Sequence, residues 1–294
     1  MRNPVAESII AVLAVLALSL GAMAQATQER AVRGAPQPGF VAAGVPEMPT
    51  PPGPAPKHDV TGAWVGPLKT TMGPFPEMTA AGKAAFDLNK PVPEAGGRTA
   101  PDAMGHLAAT NDPFMLCNPL GFPRDLLNHA VSMRGAIQFE PVPNKMLMLF
   151  EQQRIYREVW MDGRALPKKV DAKDAPDSRF YGYSVGHWDG DNSFVIETTG
   201  LDPRTWLDEA GHPHTTDAHL VERWTRPDQY HIEATVTVED PKFYTKPFQL
   251  MKTTYYWMKD QEFEETLCIP SEAIEYRDRL AKESGWGGGD ESAK

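Results

Sequence analysis

Two neighbouring segments of this chain, residues 182–191 and 205–223, hold four of its eight histidines. Aspartates, glutamates, two tryptophans and an arginine accompany these histidines. Histidine titrates near neutral pH, so it can both accept and donate a proton. A purely structural sheet does not need such a density of titratable side chains. These segments are therefore predicted to carry the functional site.

Three of the histidines, His212, His214 and His219, have a spacing that also suits a metal ion. In an extended strand, side chains two residues apart face the same way, so His212 and His214 can reach one ion and His219 can complete the set. Asp208 can orient an imidazole from behind. The spacing matches no metal-specific motif such as H-E-x-x-H. A site without cofactor is expected, and a Zn²⁺ site is the alternative.

The acid–base interpretation adds Tyr156 to the histidines as a catalytic group. Arg157 and Arg223 are expected to bind substrate from the interior of the domain, where a guanidinium needs a carboxylate or an anionic ligand as its partner. Strand alternation then places His219 on the inner face together with Arg223, and Glu222 on the outer face.

Aromatic side chains are expected to complete the substrate site. Trp188 and Trp206 lie in the two histidine-rich segments, and Asp208 is a polar group beside them. Most aromatic residues of a β domain belong to its core. A pocket lined by aromatic rings with a few polar groups nevertheless suits a small ligand. The predicted ligand is a small aromatic or otherwise apolar molecule.

Several classes of function lack their sequence features. No G-x-S-x-G motif surrounds a serine, and Ser184 lies in a strand-like run. The chain has no G-x-G-x-x-G motif or phosphate-binding loop, so a nucleotide cofactor is not expected. The net charge of −10 and the pI near 5.3 offer no basic surface for nucleic acid. The oligomeric state is left open.

The first 57 residues are predicted to form a leader followed by a disordered segment. Arg2, an apolar run from Ile9 to Leu20 and an Ala-Met-Ala site predict a cleaved Sec signal peptide over residues 1–24. The Pro-rich stretch over residues 25–57 is expected to be disordered. No later apolar run reaches membrane length. The protein is therefore expected to be periplasmic or secreted, without a membrane span in the mature chain.

The chain has two cysteines, Cys117 and Cys268. In an oxidising compartment, an even number of cysteines favours a disulfide, which would close a loop of about 150 residues. Two buried free thiols are the alternative, because the sequence does not give the Cα separation that a bridge requires.

Eight segments alternate apolar and polar residues with a period of two and end at Gly, Asp or Pro, which predicts β-strands. They are Val131–Phe139, Lys145–Gln152, Tyr156–Trp160, Tyr181–Trp188, Ser193–Thr199, Ala218–Thr225, Tyr230–Val238 and Phe248–Trp257. Asp-Gly pairs at residues 162–163 and 189–190 predict hairpin turns. Helices are predicted from Thr79 to Asn89 and from Ser271 to Lys282, each capped by its first residue.

Many strands without intervening helices predict a mainly β fold, a barrel or a sandwich. A single antiparallel barrel over residues 58–270 is preferred, because it leaves no open edge. The C-terminal helix and an acidic, Gly-rich tail follow over residues 271–294.

Longer motifs support the barrel by resemblance. Gly62-Ala-Trp64 resembles the G-x-W motif of lipocalin-like (calycin) barrels, in which the Trp closes one end and an arginine from a later strand covers it. Other motifs resemble a large family of exported bacterial proteins without a generally assigned activity; they are Cys117–Arg124, Tyr156-Arg157, Met161–Arg164, Tyr183–Asp191 and Thr205–Arg223. The resemblance covers about residues 58–270 and implies a lipocalin-like β-barrel with a shared polar site.

Two functions follow as hypotheses. The first is an exported, cofactor-free enzyme, a lyase, isomerase or hydrolase, that acts on the predicted ligand by His, Tyr and carboxylate acid–base chemistry. The second is a periplasmic protein that binds such a ligand. The number of proton-transfer groups favours the enzyme. A metal-dependent enzyme that uses His212, His214 and His219 is a further alternative.

Overall fold

In the computed structural model of the chain, all eight predicted strands form. The residues described are 50–66, 70–91, 110–128, 135–151, 153–173, 175–258, 262–263 and 267–275, and they belong to one compact unit. The predicted signal peptide and residues 25–49 of the Pro-rich lead lie outside the described residues. Residues 50–57 contain no helix or strand, and the Gly53 carbonyl accepts a hydrogen bond from the Gln229 backbone at 2.9 Å.

Within the described residues, ten strands build a single sheet. Their bounds are β1 Gly62–Gly66, β2 Thr71–Met72, β3 Gly135–Val142, β4 Lys145–Phe150, β5 Ile155–Trp160, β6 Tyr183–Asp189, β7 Ser193–Thr199, β8 His219–Thr225, β9 His231–Glu239 and β10 Phe248–Trp257. The alternation of apolar and polar residues did not reveal β1 and β2, which are the two shortest strands.

Nine of these strands close into a barrel, which confirms a mainly β barrel. The order runs β1-β3-β4-β5-β6-β7-β8-β9-β10, and β10 pairs again with β1. Trp64 lies opposite Trp257 at this closure. β2 pairs with the middle of β10 through Met72 and Met251.

The prediction of a purely antiparallel barrel is wrong at one seam. β5 and β6 pair in parallel, whereas every other neighbouring pair of the barrel is antiparallel. Strand directions cannot alternate all round a ring of nine members, so at least one neighbouring pair must be parallel. The parallel ladder joins only Val159 to Ser184 and Trp160 to Val185.

The two Asp-Gly turns have different outcomes. Gly190 has a φ of 67° and lies in the hairpin between β6 and β7, as predicted. Gly163 also has a left-handed φ, 77°, but the hairpin predicted around it is wrong. Parallel strands need a crossover rather than a tight turn. The chain between β5 and β6 therefore returns to the other end of the barrel before β6 begins.

Three short α-helices accompany the barrel in the described residues, α1 Ala80–Leu88, α2 Arg124–Asn128 and α3 Pro270–Glu275. α1 begins after Thr79, whose Oγ1 accepts a hydrogen bond from the Gly82 N–H at 3.1 Å, as predicted for its N-cap. The C-terminal helix begins at Pro270 rather than after Ser271, because proline suits the first helical position. Its predicted second half lies outside the described residues.

Trp64 and a later arginine reproduce the contact that the G-x-W resemblance implies. Trp64 is fully buried in the core, and its Nε1 donates to the Val60 carbonyl at 2.8 Å. The guanidinium carbon of Arg226, just after β8, lies 4.9 Å from the centroid of the Trp64 ring. The arrangement is compatible with a lipocalin-like barrel.

The predicted disulfide between Cys117 and Cys268 is confirmed. Their Cα atoms are 5.3 Å apart, within the range that a bridge requires. Cys117 ends a 3₁₀ turn over Pro113–Leu116, and Cys268 precedes α3. The bond thus ties the segment after β10 to the segment between β2 and β3. Among the described residues, no helix has the length and apolar character needed to cross a membrane.

Candidate functional site

The parallel seam opens into a pocket where its short ladder ends. If the register continued, Arg157 would face Gly182, but the ladder stops at Val159 and Ser184. Gly182 has a φ of 66°, and its N–H donates to the Arg179 carbonyl at 3.0 Å, which turns this segment before β6 begins. A pocket of about 330 Å³ lies between the two segments.

Aromatic side chains dominate the lining of this seam pocket. The residues that line it come from β5, from the start of β6 and from the segments before them; they are Pro119, Ile155, Tyr156, Arg157, Glu158, Trp160, Arg179, Phe180, Tyr181, Gly182, Tyr183 and Ser184. Tyr156 is 62% exposed and Arg157 only 2% exposed. The lining therefore runs from solvent to the barrel interior, and its volume lies at the lower end of the range for small-molecule sites.

Arg157 makes a bidentate ion pair with Glu222 inside the barrel. Its Nη2 donates to Glu222 Oε1 at 2.6 Å and its Nη1 donates to Oε2 at 3.1 Å. Both residues are buried. Trp224 Nε1 also donates to Glu222 Oε2, at 3.1 Å. A buried charge of this kind is tolerated only when it is paired and hydrogen-bonded.

Two hydroxyl groups and an aromatic ring saturate the rest of the guanidinium. Arg157 Nε donates to Ser184 Oγ at 3.0 Å, and its Nη2 donates to Thr198 Oγ1 at 2.5 Å. The guanidinium carbon lies 4.1 Å from the centroid of the Phe122 ring. Arg157 therefore faces the pocket with its hydrogen-bonding capacity already used by the protein.

Tyr181 connects the pocket to a second buried carboxylate. Its hydroxyl donates to Asp125 Oδ2 at 2.5 Å. Burial, reinforced by the nearby Asp125 charge, raises the pKa of Tyr181 well above its usual value. The Tyr181 hydroxyl therefore stays protonated at neutral pH and keeps its hydrogen bond to Asp125.

The orientation predicted for β8 is wrong. Leu220, Glu222 and Trp224 form its buried face, whereas Arg223 is exposed and His219 is only partly buried. Arg223 pairs with Asp189 at 2.7 Å, where both side chains are about half exposed. The bulky apolar Leu220 and Trp224 determine the orientation, because they lose more contact with water inside the barrel than the smaller Val221 would.

His219 lies on the outer side of the barrel wall. Its Nε2 is 3.0 Å from Glu197 Oε2, with about a third of each side chain exposed. The predicted pocket shared by His219, Arg223 and Arg157 does not form, because the first two residues lie on the opposite face of β8 from Glu222, the partner of Arg157.

His212 and His214 lie in the loop between β7 and β8 and have separate partners. His212 Nδ1 is 2.7 Å from Asp208 Oδ2, and its ring stacks on Phe75 with the centroids 3.5 Å apart. His214 is buried, and its Nε2 is 2.8 Å from Thr205 Oγ1. These contacts fasten the loop to its surroundings, and neither histidine lines the seam pocket.

The three candidate zinc ligands therefore occupy three different environments. Both ring nitrogens of His214 already have partners, Thr205 Oγ1 and the Thr215 carbonyl at 3.2 Å. Within the part of the chain that the structure describes, no group of three or more His, Cys, Asp or Glu side chains is arranged to hold a metal ion.

The remaining predicted residues divide between the seam pocket and the core. Tyr156 and Arg157 both line the seam pocket, but without the histidines and Arg223 that were predicted to share one pocket with them. Trp188 instead packs on Phe194, with ring centroids 5.2 Å apart. Trp206 is buried, and its ring lies against the guanidinium of Arg124. The Asp208 carboxylate is hydrogen-bonded to the His212 ring. The sequence did not single out Tyr181 and Arg179 as site residues, although both line the seam pocket. The one signal for Tyr181 is its position next to the break in the β5–β6 ladder, which the sequence does not reveal.

His214 predicts a specific dependence of stability on pH. Burial lowers its pKa from the usual 6.5 or so, so the folded protein resists a proton that the unfolded chain accepts. Its contribution to stability is complete above about pH 6.5 and is lost as the pH falls below that value, by up to about 1.4 kcal/mol per pH unit. Urea unfolding measured from pH 7.5 to 5.5 should show this slope.

Two variants test the assignment of this slope to His214. His214→Gln should flatten the pH dependence of the free energy of unfolding, whatever its effect on stability at pH 7.5. His187→Gln removes an exposed imidazole and should keep the wild-type dependence. An unchanged slope in His214→Gln would contradict the prediction.

Comparisons of the chain with protein-family models, with curated proteins and with solved structures find no match. The functional conclusion therefore depends on the geometry of the seam pocket.

Proposed function

We propose that this protein binds a small aromatic or apolar molecule in the seam pocket. The observation that carries the proposal is the break in the β5–β6 ladder, which opens a pocket of about 330 Å³ into an otherwise closed barrel wall. Its rings and its few polar groups have the composition of a small-molecule site. A barrel of this size can also enclose one small ligand.

Binding is preferred over acid–base catalysis because the three histidines predicted to transfer protons are elsewhere, and Tyr156 is the one predicted catalytic group in the lining. His212, His214 and His219 are absent from the pocket lining. Arg157 and Ser184 are already hydrogen-bonded to each other and to other buried groups, so they are not free to transfer a proton. The aromatic rings and the few other polar groups of the lining can contact a ligand without a change in these buried hydrogen bonds. This favours a binding protein.

A cofactor-free enzyme is the second candidate, and the hydrogen bond from Tyr181 to Asp125 favours it. In such an enzyme, a lyase, isomerase or hydrolase, a substrate proton would pass to the Tyr181 oxygen while the Tyr181 proton passes to Asp125. The carboxylate would then be the base and the tyrosine its relay.

Export belongs to the same proposal. The leader-like segment over residues 1–24 and the resemblance to exported bacterial proteins favour a periplasmic or secreted location. The disulfide supports it, because such bonds persist in oxidising compartments.

Ligand binding is tested with purified protein and a panel of small aromatic and aliphatic compounds. Titrations followed by calorimetry and by intrinsic fluorescence should find aromatic compounds that bind with one-to-one stoichiometry. Tyr156→Ala should weaken binding about two- to tenfold, because it removes an aromatic contact at the pocket rim. The same mixtures, followed by chromatography, report whether a product forms.

A variant on another surface provides the control. Leu88→Ala, which alters a 73% exposed side chain on α1, should leave the dissociation constants unchanged. Equal effects of the two variants, or no binding by any compound, would refute the seam pocket as a binding site. Turnover that Asp125→Asn abolishes while the compound still binds would decide for the enzyme.

A further inference from the structure

One cation of the seam pocket has no charged partner within the part of the chain that the structure describes. The pocket lining holds three charged groups, and two of them are neutralised within the protein. Arg157 pairs with Glu222 at 2.6 Å. Glu158 pairs with Lys145 at 2.5 Å. Arg179, the third, is exposed, and its side chain makes no ion pair or hydrogen bond among the described residues.

The backbone of Arg179 is nevertheless fixed. Its N–H donates to the Gly200 carbonyl at 2.9 Å, and its carbonyl accepts from the Gly182 N–H at 3.0 Å and from the Asp202 N–H at 2.8 Å. A bridge with Leu201 adds to these bonds. The backbone that carries the Arg179 side chain therefore has a fixed position in the pocket wall. Less backbone conformational entropy is then lost when Arg179 binds a ligand.

Two nearby carboxylates are held by other arginines. Asp202, next to the Arg179 backbone, pairs with Arg204 at 2.5 Å. Asp162 pairs with Arg164 at 2.6 Å, and this guanidinium also donates to the hydroxyl of Tyr183 in the pocket lining. Two other carboxylates between β5 and β6, Asp171 and Asp177, have no ion pair among the described residues, and Asp171 Oδ1 accepts a hydrogen bond from the Ser178 N–H at 2.7 Å. Neither of them pairs with the Arg179 guanidinium, although the chain carries a net charge of −10.

We infer that the ligand of the seam pocket is an aromatic molecule with an anionic group, and that Arg179 binds this group at the rim. The inference rests on the proposed function. The aromatic part lies against Tyr156, Phe180 and Tyr183, and the acid faces Arg179. A guanidinium matches a carboxylate with two parallel hydrogen bonds, which makes an aromatic carboxylate the best fit.

Matched pairs of probes separate this inference from the binding proposal. Benzoate, phenylacetate and 4-hydroxycinnamate are titrated into the purified protein beside their neutral amides at pH 7. At least one acid should bind about tenfold or more tightly than its amide, as expected for one charge-assisted hydrogen-bonding group. Added salt should weaken binding of the acid and leave binding of the amide unchanged.

Variants assign the preference to Arg179. Arg179→Gln should abolish the preference for the acid without changing the melting temperature, and Arg179→Lys should restore part of it. Arg223→Gln removes an exposed guanidinium outside the pocket lining and should behave as wild type. Equal binding of acid and amide, or a preference that survives in Arg179→Gln, would overturn the inference alone. If neither member of any pair binds, the binding proposal is contradicted as well.

Discussion

Replacing Glu222 with alanine is expected to lower the free energy of unfolding by about 3–5 kcal/mol. The substitution leaves the guanidinium of Arg157 inside the barrel with neutral partners, two hydroxyl groups and the Met148 sulfur, and it removes the acceptor of Trp224 Nε1. Most of this loss comes from leaving the buried Arg157 charge without a carboxylate, rather than from the attraction between the two groups itself. Urea unfolding followed by tryptophan fluorescence measures it. The loss is a large part of the stability of a typical domain.

Two further variants identify the cause. Arg157→Met combined with Glu222→Leu removes both charges, and this double variant should be clearly more stable than Glu222→Ala. Asp189→Asn breaks the exposed pair with Arg223 and should change the free energy of unfolding by less than about 0.5 kcal/mol. If Glu222→Ala costs no more than Asp189→Asn, the buried pair does not have the role assigned to it.

Much of the barrel could be predicted because its signals are local. Period-two alternation located eight strands, and Thr79 marked the start of α1. The resemblance implied that an arginine from a later strand covers Trp64, without saying which one, and the structure shows Arg226, just after β8, in that contact. Such features depend on a few neighbouring residues or on a single conserved type of contact, so the sequence carries enough information for them.

The parallel seam could not be predicted in the same way. Whether the chain after β5 folds back at Asp162-Gly163 or crosses the barrel depends on how many strands close the ring. That number includes β1, a five-residue strand without a clear alternation. A closed ring with an even number of strands can be antiparallel throughout, whereas a ring with an odd number must contain a parallel pair. The pocket lies at this seam, so its location depends on the part of the topology that local signals do not determine.

The candidate site was only partly predicted, for reasons of orientation. Arg157 was expected inside the barrel with a carboxylate or anionic partner, and Glu222 fills that role. The predicted orientation of β8 relied on Arg223 facing inward, but Leu220 and Trp224 require the opposite orientation. The density of histidines misled because His212, His214 and His219 each have a separate partner outside the seam pocket, as His212 has in Asp208.

Removing the disulfide is expected to lower the free energy of unfolding by about 2–5 kcal/mol. Cys117 and Cys268 are 151 residues apart, so the bond closes a loop that contains nearly the whole barrel. The unfolded chain gains most freedom when so long a loop is opened. Urea unfolding of Cys117→Ser/Cys268→Ser, compared with the oxidised wild type, measures the loss, and the urea m-value should rise because the unfolded chain exposes more surface.

Reduction provides the matched test of the same bond. Dithiothreitol should bring the wild type to the stability of the double serine variant and should not affect that variant. Thiol titration of the unfolded, unreduced protein should find no free thiol, whereas two free thiols would contradict the bridge directly. A bridge without effect on stability would mean that α3 and the 3₁₀ turn over Pro113–Leu116 stay together without it. Because neither of these two short elements has a buried residue, the covalent bond is expected to be what holds them together.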